Sequence, residues 1–241
     1  MKVAAIIPAA GLGTRMGRSS AETSGVSRKQ FMLLDGSPIL VHTLRKFLAC
    51  PLVDEILIAL RKEDMGWFSQ LLEREAPSKP VRLAPGGVSR QESVRNALEV
   101  VAPDTDLVAV HDAVRPFIDP ATLERVILEA AQSGAAIVGI VPVDTVKQVR
   151  GNKIHGTLPR ERLILAQTPQ VFRYSLLKEA FERAAQDGFI GTDESSLVER
   201  LERVEVSVVP GSDRNIKITR PSDMELARLF LSEEAARRKA S

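Results

Sequence analysis

Lys2-Val-Ala-Ala-Ile-Ile7 is a short apolar run that leads straight into Pro8-Ala-Ala-Gly-Leu-Gly-Thr-Arg-Met16. A buried strand ending in a glycine-bearing turn leaves bare backbone N–H groups at a sheet edge, and such groups hold phosphate oxygens. Arg15 lies in the same turn, and Lys29-Gln-Phe31 follows. Glycines with two cations after the first strand suggest a nucleoside triphosphate handled as substrate. Gly11-Leu-Gly13-Thr-Arg-Met-Gly17 also matches a dinucleotide fingerprint superficially, but that site needs an acidic residue closing a second strand ~20 residues on. Here Asp35 lies in a turn signal with a helix after it, and the Gly-Lys-Ser/Thr ending of a P-loop is missing. A glycine-rich turn with two solvated cations is the plainer alternative.

A second constellation is Val110-His-Asp-Ala-Val-Arg-Pro-Phe117. Ligands of open α/β sheets bind at the carboxyl ends of strands. A carboxylate there, Asp112, can hold Mg²⁺, a hard cation suited to oxygen ligands and phosphates. Arg115 can meet a phosphate with its planar fork. The alternative is an aspartate that caps its own turn. His111 reads as structural, since Asp112 and Arg115 explain the site without it.

In Pro85-Gly-Gly-Val-Ser-Arg-Gln-Glu-Ser-Val94, Gly86-Gly87 ends a strand and Ser89 opens a helix. Ser89 and Glu92 read as a capping box in which each satisfies the other's orphan N–H. That helix start could hold a base or ribose through backbone and Ser93. Later segments, Leu158–Arg162, Gln167–Gln170, Thr192–Ser195 and Asn215–Pro221, offer hydroxyls and cations. Each is bland alone: Thr192 is a good N-cap, Arg160 could be a surface charge, and spacing does not bring them together.

The elements that must position these residues alternate. Val3–Ile7, Glu55–Leu60, Val81–Ala84, Leu107–Val110 and Ala136–Val141 are strand-like, several apolar nearly throughout, as in a parallel sheet covered on both faces. Helices are expected over Pro38–Ala49, Met65–Glu75, Ser89 to about Val101, Pro120–Ser133 (ended by Gly134), Tyr174–Gln186 (ended by Gly188), Thr192–Glu202 and Pro221–Arg238. The pattern predicts an α/β fold with a mostly parallel sheet and helices on both faces. Val143–Leu158 breaks it with polar, β-like residues and a Gly151-Asn152 turn, predicting a hairpin. A hairpin of two polar faces is marginal alone, so it should pack on something else, either its own sheet or a second subunit. Gly17–Arg28 reads as a long flexible loop, mobile without nucleotide.

At 241 residues and 44% hydrophobic, the chain can bury the core of one domain. Its 4% aromatics argue against a base-stacking single-strand binder. A net charge of +2, from 33 basic and 31 acidic residues, advertises neither nucleic acid nor a membrane surface. Cys50 is the one cysteine, expected at a buried helix end, so no intramolecular disulfide is available and a reducing compartment fits. His42, His111 and His155 are far apart, with no zinc spacing. There is no signal-peptide layout and no run near the ~20 residues of a membrane span. The expectation is a soluble cytoplasmic protein.

Taken in order, the motifs Pro8-Ala-Ala-Gly-x-Gly, Lys29-Gln, Gly86-Gly87-x-x-Arg-x-x-Ser-Val, His111-Asp-Ala-x-Arg-Pro, Pro142-Val-x-Asp-Thr, Thr168-Pro-Gln, Thr192-Asp-Glu and Asn215-Ile-Lys-x-Thr-Arg-Pro cover almost the whole chain. The ordered set resembles the 2-C-methyl-D-erythritol 4-phosphate cytidylyltransferase family of the non-mevalonate isoprenoid pathway. The resemblance implies a Rossmann-like nucleotidyltransferase fold, a single domain, and a homodimer in which a protruding β-arm, here residues 143–160, reaches over the partner. It implies that CTP and methylerythritol phosphate give a CDP-linked alcohol and pyrophosphate, with Mg²⁺. By motif, Pro8, Ala9, Ala10, Gly11, Gly13, Gly87, Ser93, Asp112 and Ala113 would line the CTP site. Arg15 and Lys29 would stabilise charge on the reacting phosphates, and Asp112 would orient Mg²⁺. Arg115, Thr168, Thr192 and Lys217 would position the substrate, joined by Thr145 and Arg160 from the partner's arm. Arg15, Lys29, Arg160 and Lys217 are thus the implied catalytic groups. The interval from Arg15 to Lys29 is longer than usual in the family, and Arg28 stands where a Pro often precedes the Lys-Gln pair, which makes Arg28 a second candidate for the role of Lys29. Competing readings are cytidylyl transfer to another polyol phosphate such as ribitol 5-phosphate, an NAD(P)-dependent oxidoreductase resting on the glycine turn alone, and a non-catalytic nucleotide sensor.

Overall fold

The structure, a computed structural model, describes residues 1–11 and 28–240. Among them, strands β1 (Val3–Pro8), β4 (Glu55–Leu60), β5 (Val81–Pro85), β6 (Leu107–Val110), β7 (Ala135–Ile140), β10 (Leu165–Arg173) and β11 (Ser207–Pro210) form one sheet in the order β11-β7-β10-β6-β1-β4-β5. Every pairing is parallel except those of β10, which runs antiparallel between β6 and β7. The mostly parallel sheet is as expected. β1 and β4 are both interior strands of the order and are buried nearly end to end, which is why they read as almost unbroken apolar runs.

Helices α1 (Ile39–Ala49), α2 (Lys62–Glu75), α3 (Arg90–Leu98), α4 (Pro120–Ser133), α5 (Tyr174–Asp187), α6 (Glu194–Glu199) and α7 (Pro221–Ala240) fill the connections. One apolar cluster packs α1, α2 and α4 on one face, around Phe47, Phe68 and Ile127. A second packs α3 and α5 on the other, around Phe172, Val94 and Phe181. The caps are local. Asp119 accepts from Thr122 N–H at the start of α4, and Gly134 ends it at φ 91°, where an L side chain would be strained.

Two expectations about helix starts change. The Ser89 hydroxyl accepts Glu92 N–H at 3.0 Å as predicted, but the Glu92 carboxylate takes the N–H of Val88 at 2.7 Å instead of that of Ser89. Thr192 is not the cap of α6: Asp193 is, in a capping box with Ser196, and the helix is shorter than 192–202. Two sheet strands were not anticipated. β10 contains Thr168-Pro169, joined by a cis peptide, and its register shifts between Ala166 and Gln170. β11 is four residues long. The short antiparallel pair β2 (Leu33–Leu34) and β3 (Ser37–Pro38) flanks Asp35, which lies in the expected turn.

The predicted hairpin is present as β8 (Val146–Arg150) and β9 (Lys153–Leu158), joined through Gly151 at φ 57°. Val143, Val149 and Ile154 on or beside it are exposed. No helix among the described residues is long and apolar enough to cross a membrane.

Candidate active site

The carboxyl ends of β1, β4, β5 and β6 lie side by side, so their following turns meet at one edge of the sheet. After β1, Pro8–Gly11 form one wall of a cleft of about 240 Å³. Gln30, buried, donates from Nε2 to Ala9 O at 2.7 Å and to Gly11 O at 3.1 Å, and Arg61 Nε donates to Ala10 O at 3.0 Å. These bonds occupy the turn's carbonyls. Neither Gln30 nor Arg61 was singled out for this role, although Gln30 belongs to the Lys29-Gln motif.

The turn after β5 closes the opposite wall. Gly86 N–H donates to Leu60 O at 2.6 Å, and a Cβ on Gly86 would stand 2.3 Å from the Ala10 Cβ. Glycine there lets the two turns touch. Ser93 accepts Gly87 N–H at 3.0 Å and donates to Ser89 O at 2.8 Å, so its hydroxyl first of all shapes the loop it lines.

Pro8, Ala9, Ala10, Gly11, Lys29, Gly87, Ser93, Asp112, Ala113 and Lys217 all line this first cleft. Arg28 does not; it pairs with Asp64 and, at 3.4 Å, with Glu63 on α2. A second cleft, about 260 Å³, is lined by Arg115, Thr168 and Thr192. The two share Arg90, Asp112 and Lys217, and so form two lobes that meet over Asp112. Gly13, Arg15 and the rest of the loop before Arg28 lie outside the described residues. Thr145 and Arg160 are exposed on and beside the hairpin and line neither lobe of their own chain. The Arg160 guanidinium donates to Val143 O.

Asp112 is buried and meets three cations. Oδ1 is 3.0 Å from Arg90 Nε, and Oδ2 is 2.8 Å from Lys217 Nζ and 3.3 Å from Arg115 Nε. Burial alone would raise its pKa, but Arg90, Lys217 and Arg115 hold it well below the usual carboxylate range. Burial pulls the Arg115 guanidinium down somewhat from its ordinary value. Arg90 also reaches Glu194 Oε1 at 2.7 Å. Burial pushes the Glu194 carboxyl up, against the pull of Arg90. Neither Arg90 nor Glu194 was picked out as a site residue, though each sits inside a quoted motif. A first-turn glutamate looks like ordinary helix-terminus charge in sequence.

The late segments are drawn in by backbone. Ile218 N–H donates to Val114 O at 2.9 Å, and Arg115 Nη1 donates to Asn215 O at 2.6 Å. Buried Asn215 donates to Gln167 Oε1 at 3.0 Å and Thr168 O at 2.9 Å. The Thr168 hydroxyl accepts Asp112 N–H at 3.1 Å and lies 3.1 Å from His111 Nδ1. With that hydroxyl donating to Nδ1, His111 carries its proton on Nε2 and gives it to Arg115 O at 3.0 Å. Burial lowers its pKa to about 4. His111 is structural, as expected. Cys50, capping the end of α1, is likewise buried, and burial raises its thiol.

The family model described as 2-C-methyl-D-erythritol 4-phosphate cytidylyltransferase matches residues 3–233. A curated protein of that name from Solibacter usitatus is 66% identical, with 98% of each chain covered. One from Acidobacterium capsulatum is 48% identical over 98% of this chain and all of its own. A crystal structure of 4-diphosphocytidyl-2C-methyl-D-erythritol synthase from Anaerococcus prevotii superposes with a TM-score of 0.83 at 28% identity, covering 96% of both chains. The Francisella tularensis 2-C-methyl-D-erythritol 4-phosphate cytidylyltransferase does so with 0.78 at 33% identity, covering 95% of this chain and 99% of its own. With its motifs gathered at one sheet edge and the match running nearly end to end, this chain belongs to the 2-C-methyl-D-erythritol 4-phosphate cytidylyltransferase family of nucleotidyltransferases.

Proposed function

We propose that the chain transfers the cytidylyl group of CTP to 2-C-methyl-D-erythritol 4-phosphate, giving 4-diphosphocytidyl-2-C-methyl-D-erythritol and pyrophosphate. The observation that carries this is the pair of lobes meeting over Asp112, with Arg90, Arg115 and Lys217 around it. CTP takes the lobe between the β1 and β5 turns. The acceptor phosphate takes the lobe of Arg115, Thr168 and Thr192. An acceptor phosphate oxygen then attacks the α-phosphorus, the bond to the β-phosphate bridging oxygen breaks, and pyrophosphate leaves.

Both partners are anions, so catalysis rests on positioning and charge rather than a protein nucleophile. Lys29 and Arg15 counter charge on the triphosphate side. Lys217, on the border of the lobes, draws the acceptor phosphate toward the nucleotide, and Arg115 orients it. Thr145 and Arg160 come from the arm of a second copy in a homodimer. The exposed Val143, Val149 and Ile154 on that hairpin suit such a partner. The compartment is the cytoplasm, where a lone buried thiol stays reduced.

Mg²⁺ fits the donor set at Asp112. No cluster of three acidic, His or Cys ligands stands among the described residues, but Mg²⁺ is commonly held by one or two carboxylates plus substrate phosphates. Asp112 Oδ1 faces one cation, Arg90, while Oδ2 faces two, so Oδ1 is the oxygen to offer. When bound, Mg²⁺ would neutralise triphosphate charge and help align it.

The test is pyrophosphate release with CTP and Mg²⁺, supplying methylerythritol 4-phosphate and ribitol 5-phosphate separately. Strong preference for the first is expected. Preference for ribitol phosphate would keep the chemistry and overturn the substrate; release with neither would overturn the reading.

A further inference from the structure

Arg90 is shared between two carboxylates, with one bond to each. Its Nε lies 3.0 Å from Asp112 Oδ1 and its Nη1 2.7 Å from Glu194 Oε1. Glu194 is only 1% exposed, and among the described residues its Oε2 is buried without a hydrogen-bond partner. A buried carboxylate oxygen left unpaired is costly, and carboxylates pair best with a guanidinium through two parallel bonds. Oε2 is therefore the unfilled half of a bidentate site for a guanidinium already attached to the other half.

We propose that Arg90 and Glu194 are a positioning pair for the reaction. Glu194 takes the Arg90 guanidinium in a two-bond fork when a divalent cation–triphosphate complex claims Asp112 Oδ1, and so decides how readily Asp112 is released. This rests on the reading of Asp112 as the cation's protein ligand. Charge favours such a device. Arg90, Arg115 and Lys217 already surround one carboxylate, and a dication arriving at Oδ1 repels Arg90, which has a second carboxylate, Glu194, to turn to. Arg115 and Lys217 lie on Oδ2 and only Arg90 on Oδ1, so the exchange involves Oδ1. Glu194 starts α6, directly after Asp193, whose cap fixes the helix. Its carboxylate is thereby buried next in the chain to Thr192 and Asp193, which line the acceptor lobe, without lining it itself.

The test uses Mn²⁺ as probe, with its binding to the protein–CTP complex followed by electron paramagnetic resonance. Glu194→Gln keeps the shape but leaves Arg90 with Asp112 as its one charged partner. The Mn²⁺ Kd should rise roughly tenfold or more, the usual effect of a residue behind a metal ligand. CTP affinity without metal should stay within about twofold, because Glu194 does not line the nucleotide lobe. In the double variant R90M/E194M, held at CTP saturating for that variant because Arg90 lines both lobes, no cation competes for Oδ1, so Mn²⁺ affinity should return to the wild-type range or exceed it. A merely structural role predicts the reverse, with the double variant weaker than the single. Unchanged Mn²⁺ affinity in Glu194→Gln, or loss of metal-free CTP binding along with it, overturns the proposal. Asp112→Asn separates the two readings: if it leaves Mn²⁺ binding intact, the assignment of Asp112 has failed, whereas loss there with no effect in Glu194→Gln defeats the positioning pair alone. Should the double variant not fold, Glu194→Gln decides by itself.

Discussion

Lys217 Nζ sits 2.8 Å from Asp112 Oδ2, the ammonium delivered by the strandless segment before α7 and the carboxylate by the end of β6. What joins them is the backbone bond from Ile218 N–H to Val114 O, which lays one segment along the other. The pair stands on the border of the two lobes, so Lys217 can face either anion without moving far.

Lys217→Met should therefore act on rate more than on stability. Asp112 keeps Arg90 and Arg115, so the buried carboxylate is not orphaned. Removing a charge-stabilising donor costs roughly 3–4 kcal/mol of barrier, about 10²–10³ in kcat. Steady-state kinetics with thermal melts would check this; a wild-type kcat would remove Lys217 from the mechanism.

Arg28 and Lys29 should separate cleanly. Arg28 is bonded to Asp64 and Glu63, and Asp64 is buried with one oxygen already unpartnered. Arg28→Ala should lower stability by about 1–3 kcal/mol, the cost of leaving a buried polar group unmatched, and leave kcat near wild type. Lys29 lines the nucleotide lobe, and Lys29→Ala should show the opposite pattern. If Arg28→Ala instead abolished turnover in a folded protein, Arg28 would be the charge-stabilising group.

Gly86→Ala should loosen the nucleotide lobe. Its Cβ would fall 2.3 Å from Ala10 Cβ and 3.2 Å from Leu60 O, neither of which is the end of a flexible chain. The β1 and β5 turns would have to part. A destabilisation of roughly 1–3 kcal/mol, as for an overpacked core, is expected, with CTP affinity falling at least as steeply by calorimetry. Unchanged affinity would mean that the two turns do not jointly hold the nucleotide.

Stability should fall on mild acidification. His111 is buried neutral, with its pKa lowered to about 4. In the unfolded chain it titrates near 6.5, so between those values the unfolded state binds more protons. Its contribution is complete above about pH 6.5 and is lost as pH falls toward 4, worth at most about 3 kcal/mol. His42, lowered by partial burial, adds in the same direction. Urea melts of His42→Gln from about pH 7.5 to about pH 5, run also on His42→Gln/Glu194→Gln because the raised Glu194 carboxyl acts in the opposite direction, follow the His111 share; a flat profile in the second variant would show that His111 does not supply it.

Much of the architecture was legible because its causes are local. Glu55–Leu60, Leu107–Val110 and Pro120–Ser133 fall where apolar runs, a capping Asp119 and the terminating Gly134 put them, since burial on both faces and helix caps act within a few residues. β10 was not legible. Pro169 in its interior and the polar Gln167, Thr168 and Gln170 carry no strand pattern, and it is pairing with β6 and β7 that makes it a strand. The chemistry divides in the same way. By itself, the sequence determined which residue types would be present at strand ends, Asp112 and the glycine turns among them, because a glycine's freedom and a carboxylate's charge belong to the residue. Only the tertiary structure decided that Arg90 would bridge Asp112 and Glu194, and that Lys217 would close on Asp112 as well. Those contacts depend on strand order and on which polar atoms are left unmatched when the sheet is buried, and no spacing along the chain encodes either.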